Sequence, residues 1–292
     1  MISLFTEMLS YPFLVRALIT GTLVSLCAAL LGSSLVLKRY SMIGDGLSHV
    51  GFGALAVATA LHTAPLAVAI PVVLAAAVIL LRLSEQSKIR GDAAIALIST
   101  ASLALGVLLI SKTSGRNIDI CNFLFGSILA VTTNDVPVSI ALSVTVIVLF
   151  LLCYHTLFAI TFDETFARAA GVKTEIFNLL IALLTALTIV LGMRVMGAML
   201  ISSLIIFPAL SSMRVFKRFK SVTLSSACIS VVCFLAGMIV SYVYETPAGA
   251  SVVLINAAVF GLFWLMRIAL NACRTPLHRR AVLPGHVEVH QQ

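Results

Sequence analysis

Residues 135–154 read Asp135-Val-Pro-Val-Ser-Ile-Ala-Leu-Ser-Val-Thr-Val-Ile-Val-Leu-Phe-Leu-Leu-Cys-Tyr154. After the opening acid the segment carries no charge, and at about 1.5 Å per residue its length matches the roughly 30 Å hydrocarbon core of a bilayer. Lipid offers no partner to backbone N–H and C=O groups, so an apolar run of this length crosses as a helix that bonds them internally. Comparable runs occupy 13–37, 44–61, 65–81, 93–111, 176–193, 195–210, 222–242 and 249–266. The 292-residue chain is 61% hydrophobic and 10% charged, against about 25% charged in a soluble domain, and its mean hydropathy is +1.14. The sequence specifies an all-α polytopic integral membrane protein with about eight or nine transmembrane helices. A soluble enzyme, a nucleic-acid module and a disordered scaffold are excluded.

The charge pattern orients this map. A net charge of +8 would suggest nucleic acid in a soluble chain, but here the Lys and Arg residues follow the loops. With the N-terminus outside, the inner loops and the tail hold fifteen of the nineteen, leaving Arg16, Lys112, Arg116 and Arg194 outside. That bias is the positive-inside pattern, and it predicts an odd number of spans with a cytoplasmic C-terminus and no nucleic-acid partner. One membrane domain covers 1–270, with an interfacial lead-in at 1–12 and a polar cytoplasmic loop at about 155–175. Residues 271–292 form a basic, loosely ordered cytoplasmic tail. The apolar patch 118–131 is too short to cross and reads as re-entrant or interfacial. No basic n-region precedes the first apolar run, so a removable signal peptide is not expected. The six cysteines lie singly, mostly within apolar runs, without the spacing of a disulfide framework or zinc site.

One stretch carries chemistry: Ser41-Met-Ile-Gly-Asp45-Gly-Leu-Ser48-His49-Val-Gly51-Phe-Gly53. Ionisable groups inside a span are costly and mark function by default. Asp45 and His49 are four residues apart, on one helix face about 6 Å between Cβ atoms. A carboxylate and an imidazole so placed can share a divalent Mn, Fe or Zn ion, and without thiolates they do not favour Cu(I). The other reading is that Asp45 caps a helix starting near Gly46, with His49 bonded to it. Spacing alone leaves both open. Gly44, Gly46, Gly51 and Gly53 add a face of small residues that lets helices approach closely.

The segment Lys38-Arg-Tyr-Ser-Met-Ile-Gly-Asp-Gly-Leu-Ser-His49 resembles the signature of the permease subunits of zinc/manganese/iron ABC importers, the ABC-3 family. The likeness continues in order along 12–266: Gly91-Asp-Ala-Ala-Ile95 with Leu103-Ala-Leu-Gly-Val-Leu108, Phe123-Leu-Phe-Gly-Ser-Ile-Leu-Ala130, Phe162-Asp-Glu-Thr-Phe-Ala-Arg-Ala-Ala-Gly-Val172, Val195-Met-Gly-Ala-Met-Leu200 running to Ile206-Phe-Pro-Ala209, and Ser241-Tyr-Val-Tyr-Glu-Thr-Pro-Ala-Gly-Ala250. The resemblance implies the ABC importer permease fold and a pathway subunit paired with a second copy, normally a homodimer. It implies a cytoplasmic ATPase and an extracytoplasmic metal-binding protein as partners. It also implies metal contact at Asp45 and His49, with Zn²⁺ or Mn²⁺ as cargo, Fe²⁺ as a third candidate, and no permanently bound cofactor. Relatives often carry an acid where this chain has Ser127, so no role carries over there. Glu245 stands where relatives carry Asp, Glu or Asn, which makes it a candidate outer gate; the alternative is a cap before Pro247.

The loop at 155–175 suits coupling to an ATPase. Residues 161–170 can form one short amphipathic helix, with Phe162, Phe166 and Ala169 on one side, Asp163, Glu164 and Arg168 on the other, and Gly171 as its stop. Such a helix can seat in a partner's groove; the alternative is a solvated connector. His62 and His155 read as interface groups near span ends. The chain has neither a GxxxxGK[ST] phosphate loop nor an HExxH motif, so it reads as a transport subunit with ATP hydrolysis on a separate partner. The alternative function is a secondary cation/proton carrier using Asp45 and His49 as a relay.

Overall fold

The computed structural model describes residues 10–86, 91–113 and 135–278, with single positions 124, 126 and 133. Among these residues it is all helical: α1 Pro12–Leu37, α2 Ser41–Ala60, α3 Pro65–Gln86, α4 Gly91–Thr113, α5 Asp135–Leu152, α6 Tyr154–Phe162, α7 Glu164–Ala169, α8 Thr174–Met196, α9 Ala198–Val215, α10 Phe219–Tyr244 and α11 Ala248–His278. Every expected span falls on one of the nine long helices. Eight are long and apolar enough to cross a membrane. The ninth is α2, the helix of Asp45 and His49, which falls short in apolar character and not in length. The expected patch 118–131 and lead-in 1–12 lie largely outside the described residues, as does Ser127.

Three boundaries differ from expectation. The span expected over 135–154 ends at Leu152, and a break at Cys153 starts α6. The single helix expected over 161–170 is two helices, divided at Asp163. Helix α11 continues to His278, so the first part of the expected tail is helical.

Helices α1, α8 and α9 are the most buried spans and α11 the least. Association in lipid depends on close packing and interhelical hydrogen bonds, because the tails are as apolar as Leu. Both devices are present. A Cβ built on Gly32 would stand 2.1 Å from the Ile205 carbonyl oxygen, so the backbones of α1 and α9 touch. Beside this contact, the hydroxyls of Ser230 and Ser226 donate to the carbonyls of Ser25 (2.9 Å) and Ala29 (3.3 Å), joining α10 to α1. Ser33 and Thr223 share a hydrogen bond of 3.3 Å in the same seam.

The links between helices are short. Gly197 alone separates α8 from α9, at φ +86°, and Gly192 lies against Ile201 because the chain turns back there. Among the described residues, three non-glycine residues adopt the left-handed region, each at a helix end: Arg39 (φ 61°), His62 (φ 51°) and Glu245 (φ 53°). After α1, the N–H of Arg39 donates to the Val36 carbonyl (3.2 Å) and that of Tyr40 to Leu35 (2.8 Å). This is the paired closure of a Schellman stop. His62 and Thr63 close α2 in the same way, on Thr59 and Ala58. The left-handed backbone usually selects Gly, so His62 is accounted for as a helix stop.

The two ends of the bundle are distinct. At one, Lys38, Glu164 and Asn178 meet, and Tyr154, Phe158 and Phe162 of α6 surround the Phe219 ring at centroid distances of 5.6, 5.3 and 6.0 Å. At the other, Arg194 pairs with Asp135 at 3.2 Å and Arg16 donates to Thr133 at 2.8 Å.

Candidate functional site

Helix α2 begins at Ser41, immediately after the closed end of α1, and no acid stands in its first turn. Asp45 is therefore in the second turn and does not cap the helix: that reading is overturned. Its pairing with His49 is retained. Asp45 Oδ2 and His49 Nε2 are 3.7 Å apart, slightly beyond the roughly 3.0–3.5 Å expected of two ligands each about 2.1 Å from one transition-metal ion. The Asp45 side chain is 45% exposed and that of His49 17%. The imidazole Nδ1 is buried with no hydrogen-bond partner among the described residues, and Nε2 is the ring nitrogen nearest the carboxylate.

The surroundings of α2 explain why these two side chains are accessible on an otherwise enclosed helix. Asp45, His49, Gly53 and Val57 are partly exposed at four-residue intervals, forming one stripe between buried neighbours. The other faces are clamped. A Cβ on Gly46 would lie 2.6 Å from Ile95 on α4, and one on Gly51 would lie 2.1 Å from the Met193 methyl on α8. Ser48 is buried, donates to the Asp45 carbonyl at 2.7 Å and lies 3.5 Å from the Ser202 hydroxyl of α9. One and two turns beyond His49, Gly53 and Val57 line a cavity of about 190 Å³ with Val72, Ser102, Leu105 and Leu109. Among the described residues no cluster of three or more His, Cys, Asp or Glu side chains could hold a metal. Asp45 and His49 offer two side-chain donors on one face of α2.

The segment read as ATPase-coupling is built differently from the expected helix. Asp163 adopts extended backbone and its carboxylate accepts from the Phe166 N–H at 2.9 Å and the Thr165 hydroxyl at 2.6 Å. Asp competes with helix propagation in this way and caps the helix that follows. These bonds, led by that from Thr165, hold the Asp163 carboxyl below its ordinary value. Phe162 is consequently the last residue of α6, its ring tilted against that of Phe158 at 4.9 Å and still 58% exposed. Gly171 does stop α7: at φ +87°, its N–H donates to the Arg168 carbonyl and that of Val172 to Ala167, both at 3.0 Å.

Glu164 shares its side with Arg168 as expected, but it is only partly exposed. It turns inward, accepting from Lys38 Nζ at 3.1 Å and from the Asn178 amide at 3.1 Å. Arg168 stays exposed, 3.6 Å from Glu164 and 3.2 Å from the Thr174 hydroxyl. Lys38 and Asn178 were not singled out from the sequence. Asn178 was the more legible signal, being a polar residue one turn into an apolar span.

Glu245 is exposed and ends α10 in the left-handed region. Phe219, at the start of the same helix, touches Phe162, so Glu245 is about 39 Å away along 26 residues. Asp45, near the Lys38 end, and Glu245, at the other, are not brought together.

Two expectations follow from this geometry. Burial pushes the Glu164 carboxyl up, but the bond and charge of Lys38, then Asn178 and Arg168, outweigh it and hold it below its ordinary value of 4.5. The stability it contributes is whole above that ordinary value and is lost as pH falls through the lowered folded value. Thermal midpoints of detergent-solubilised protein are expected to decline below pH 4.5, and Glu164→Gln, less stable at neutral pH, should decline less steeply; parallel curves would contradict this. Gly171→Ala meets no atom within 4 Å, so its cost is backbone strain alone, about 1–2 kcal/mol. A fall in thermal midpoint with unchanged membrane level before heating is the expected reading.

The profile of the ABC 3 transport family matches residues 10–267. The chain is 28% identical to the manganese transport system membrane protein MntC of Halalkalibacterium halodurans, over 88% of each sequence. It is 31% identical to the high-affinity zinc uptake system membrane protein ZnuB of Haemophilus influenzae, over 86% of this chain and 97% of that protein. Among solved structures, PsaBC from Streptococcus pneumoniae in complex with Fab superimposes with a TM-score of 0.81 at 29% identity, covering 90% of this chain and 95% of that one.

Proposed function

We propose, since this chain belongs to the ABC 3 transport family, that it is the membrane-spanning pathway subunit of an ATP-driven importer for a divalent transition metal, zinc or manganese. The observation that carries the reading is the stripe on α2, where a carboxylate and an imidazole stand 3.7 Å apart on the accessible face of an otherwise clamped helix. Oxygen and nitrogen donors suit both metals, and the relatives named above are a manganese and a zinc transport protein.

A second copy of the chain supplies the remaining ligands in this reading. Helix α4, packed against α2, leaves Leu97, Leu105 and Leu108 exposed, beside the open stripe that such a copy would cover. The end bearing Lys38, Arg168 and Lys173 is cytoplasmic, which places the N-terminus outside and agrees with the Lys and Arg bias of the loops. The ATPase docks there on Phe162, Asp163, Arg168 and the exposed Thr165 and Phe166 of α7, and the metal-binding protein delivers its ion at the opposite end, where Glu245 stands.

The test is total metal content of cells lacking the gene, grown in metal-poor medium and complemented with the wild-type chain. Restoration of zinc or manganese that requires an active ATPase partner supports the proposal. Uptake by the purified chain alone, abolished by an uncoupler, would instead establish a proton-coupled carrier. Unchanged metal content would remove the substrate class.

A further inference from the structure

At the basic end the Lys38 side chain is enclosed, only 6% exposed. It donates to Glu164 at 3.1 Å and also to the Asn178 side-chain oxygen. The amide nitrogen of Asn178 in turn donates to Glu164 at 3.1 Å. The three side chains therefore close a ring of hydrogen bonds, and each comes from a different element. Lys38 ends α1, Glu164 opens α7, and Asn178 lies in the second turn of α8.

This placement has a mechanical meaning. Lys38 begins the three-residue link to α2, and that link is fixed by the left-handed Arg39 and by the two backbone bonds onto Val36 and Leu35. The Lys38 ammonium also lies 5.6 Å from the centre of the Tyr40 ring, immediately before Ser41. Asp45 follows seven residues after Lys38. Sliding α7 without carrying the link along would strand a buried ammonium, a change far costlier than moving the two together. We infer that Lys38, Glu164 and Asn178 are positioning residues forming a strut that carries displacement of α7 into the metal-binding start of α2. The inference rests on the reading of α7 as the ATPase-facing element and of Asp45 as a metal ligand. It adds the connection between them.

A strut makes a prediction that simple stabilisation does not. Replacing both charges by apolar side chains of similar length, Lys38→Met with Glu164→Met, leaves no unpaired buried charge and is compatible with folding. The complex captured through a tag on this chain from its host's membranes is reconstituted into vesicles. Uptake of Mn²⁺ and Zn²⁺ and hydrolysis of ATP are then measured together. The double variant is expected to keep ATP hydrolysis within twofold of wild type while metal imported per ATP falls at least tenfold. The exchanged pair, Lys38→Glu with Glu164→Lys, is expected to recover part of that ratio. An unchanged ratio in the double variant overturns the strut, as does an equal loss of hydrolysis and uptake, which would assign the ring to assembly. If the double variant does not reach the membrane, Asn178→Leu, which opens the ring and keeps the ion pair, is read in the same way. Failure of the wild-type complex to import either metal would instead remove the proposed function.

Discussion

Asp45→Ala and His49→Ala, at membrane levels equal to wild type, are expected each to lower metal accumulation at least about tenfold, since losing even an outer-shell group can weaken a metal site by that much. The two substitutions probe the ligand role more directly than stability. Asp45 is 45% exposed, so its removal strands no buried charge. His49 is more enclosed, but its Nδ1 has no partner to lose among the described residues. The chemistry of the replacement adds a second control. Asp45→Asn keeps the shape and removes the charge, and it should resemble Asp45→Ala if charge holds the ion. Uptake equal to wild type in both alanine variants would show that cargo does not contact this pair. The stripe would then be only a seam against which another helix packs.

The second large effect is expected at Gly32, and it concerns the bundle rather than the ion. A methyl group at Gly32 would stand 2.1 Å from the backbone carbonyl of Ile205. Backbone cannot turn aside as a side chain can, so α1 and α9 must separate. Overpacking a core costs about 1–3 kcal/mol where side chains can give way, occasionally more, and Gly32→Ala belongs at the upper end. Gly51 offers the matched comparison. A Cβ there would also meet an atom at 2.1 Å, but that atom is the terminal methyl of Met193, which can rotate out of the way. Gly32→Ala should therefore lower the thermal midpoint in detergent, and the yield of monodisperse protein, clearly more than Gly51→Ala. Equal effects would mean that the two interfaces yield alike.

The architecture was legible because lipid leaves the chain few choices. Each apolar run near twenty residues had to be a helix, and each one is. The candidate pair was legible for a related reason: Asp45 and His49 interrupt a run that lipid would otherwise keep apolar. Local competition between side chains and backbone was harder to read. Asp163 looked like one more polar residue on an amphipathic face, yet its carboxylate captures the N–H of Phe166 and cuts the helix in two. Lys38 was hidden by its company, since a lysine beside an arginine at the end of an apolar run reads as a loop charge. Only the arrival of α7, 126 positions later in the chain, encloses it. His62, read as an interface group, and Glu245, read as a gate or a cap, also carry a backbone role that spacing did not announce. Each occupies a left-handed helix stop where Gly is the usual choice.

Helix α2 is absent from the eight helices apolar enough to cross on their own merits, and that absence bears on how the protein is made. A segment emerging from the ribosome partitions into lipid according to its own side chains, and Asp near the middle of a span is penalised by about 2.5–3.5 kcal/mol on the insertion scale. Asp45 stands nearer the end, where the penalty falls, but His49 and the run of glycines add little to offset it. The segment is best admitted in company, with α1 already in place and α3 following closely. Gly46 and Gly51 meet Leu80 and Val73 of α3, and they meet Ile95 of α4 and Met193 of α8 more closely still. The residues proposed to recognise the ion are thus the ones that keep their own helix out of the eight, and its insertion is expected to depend on its neighbours.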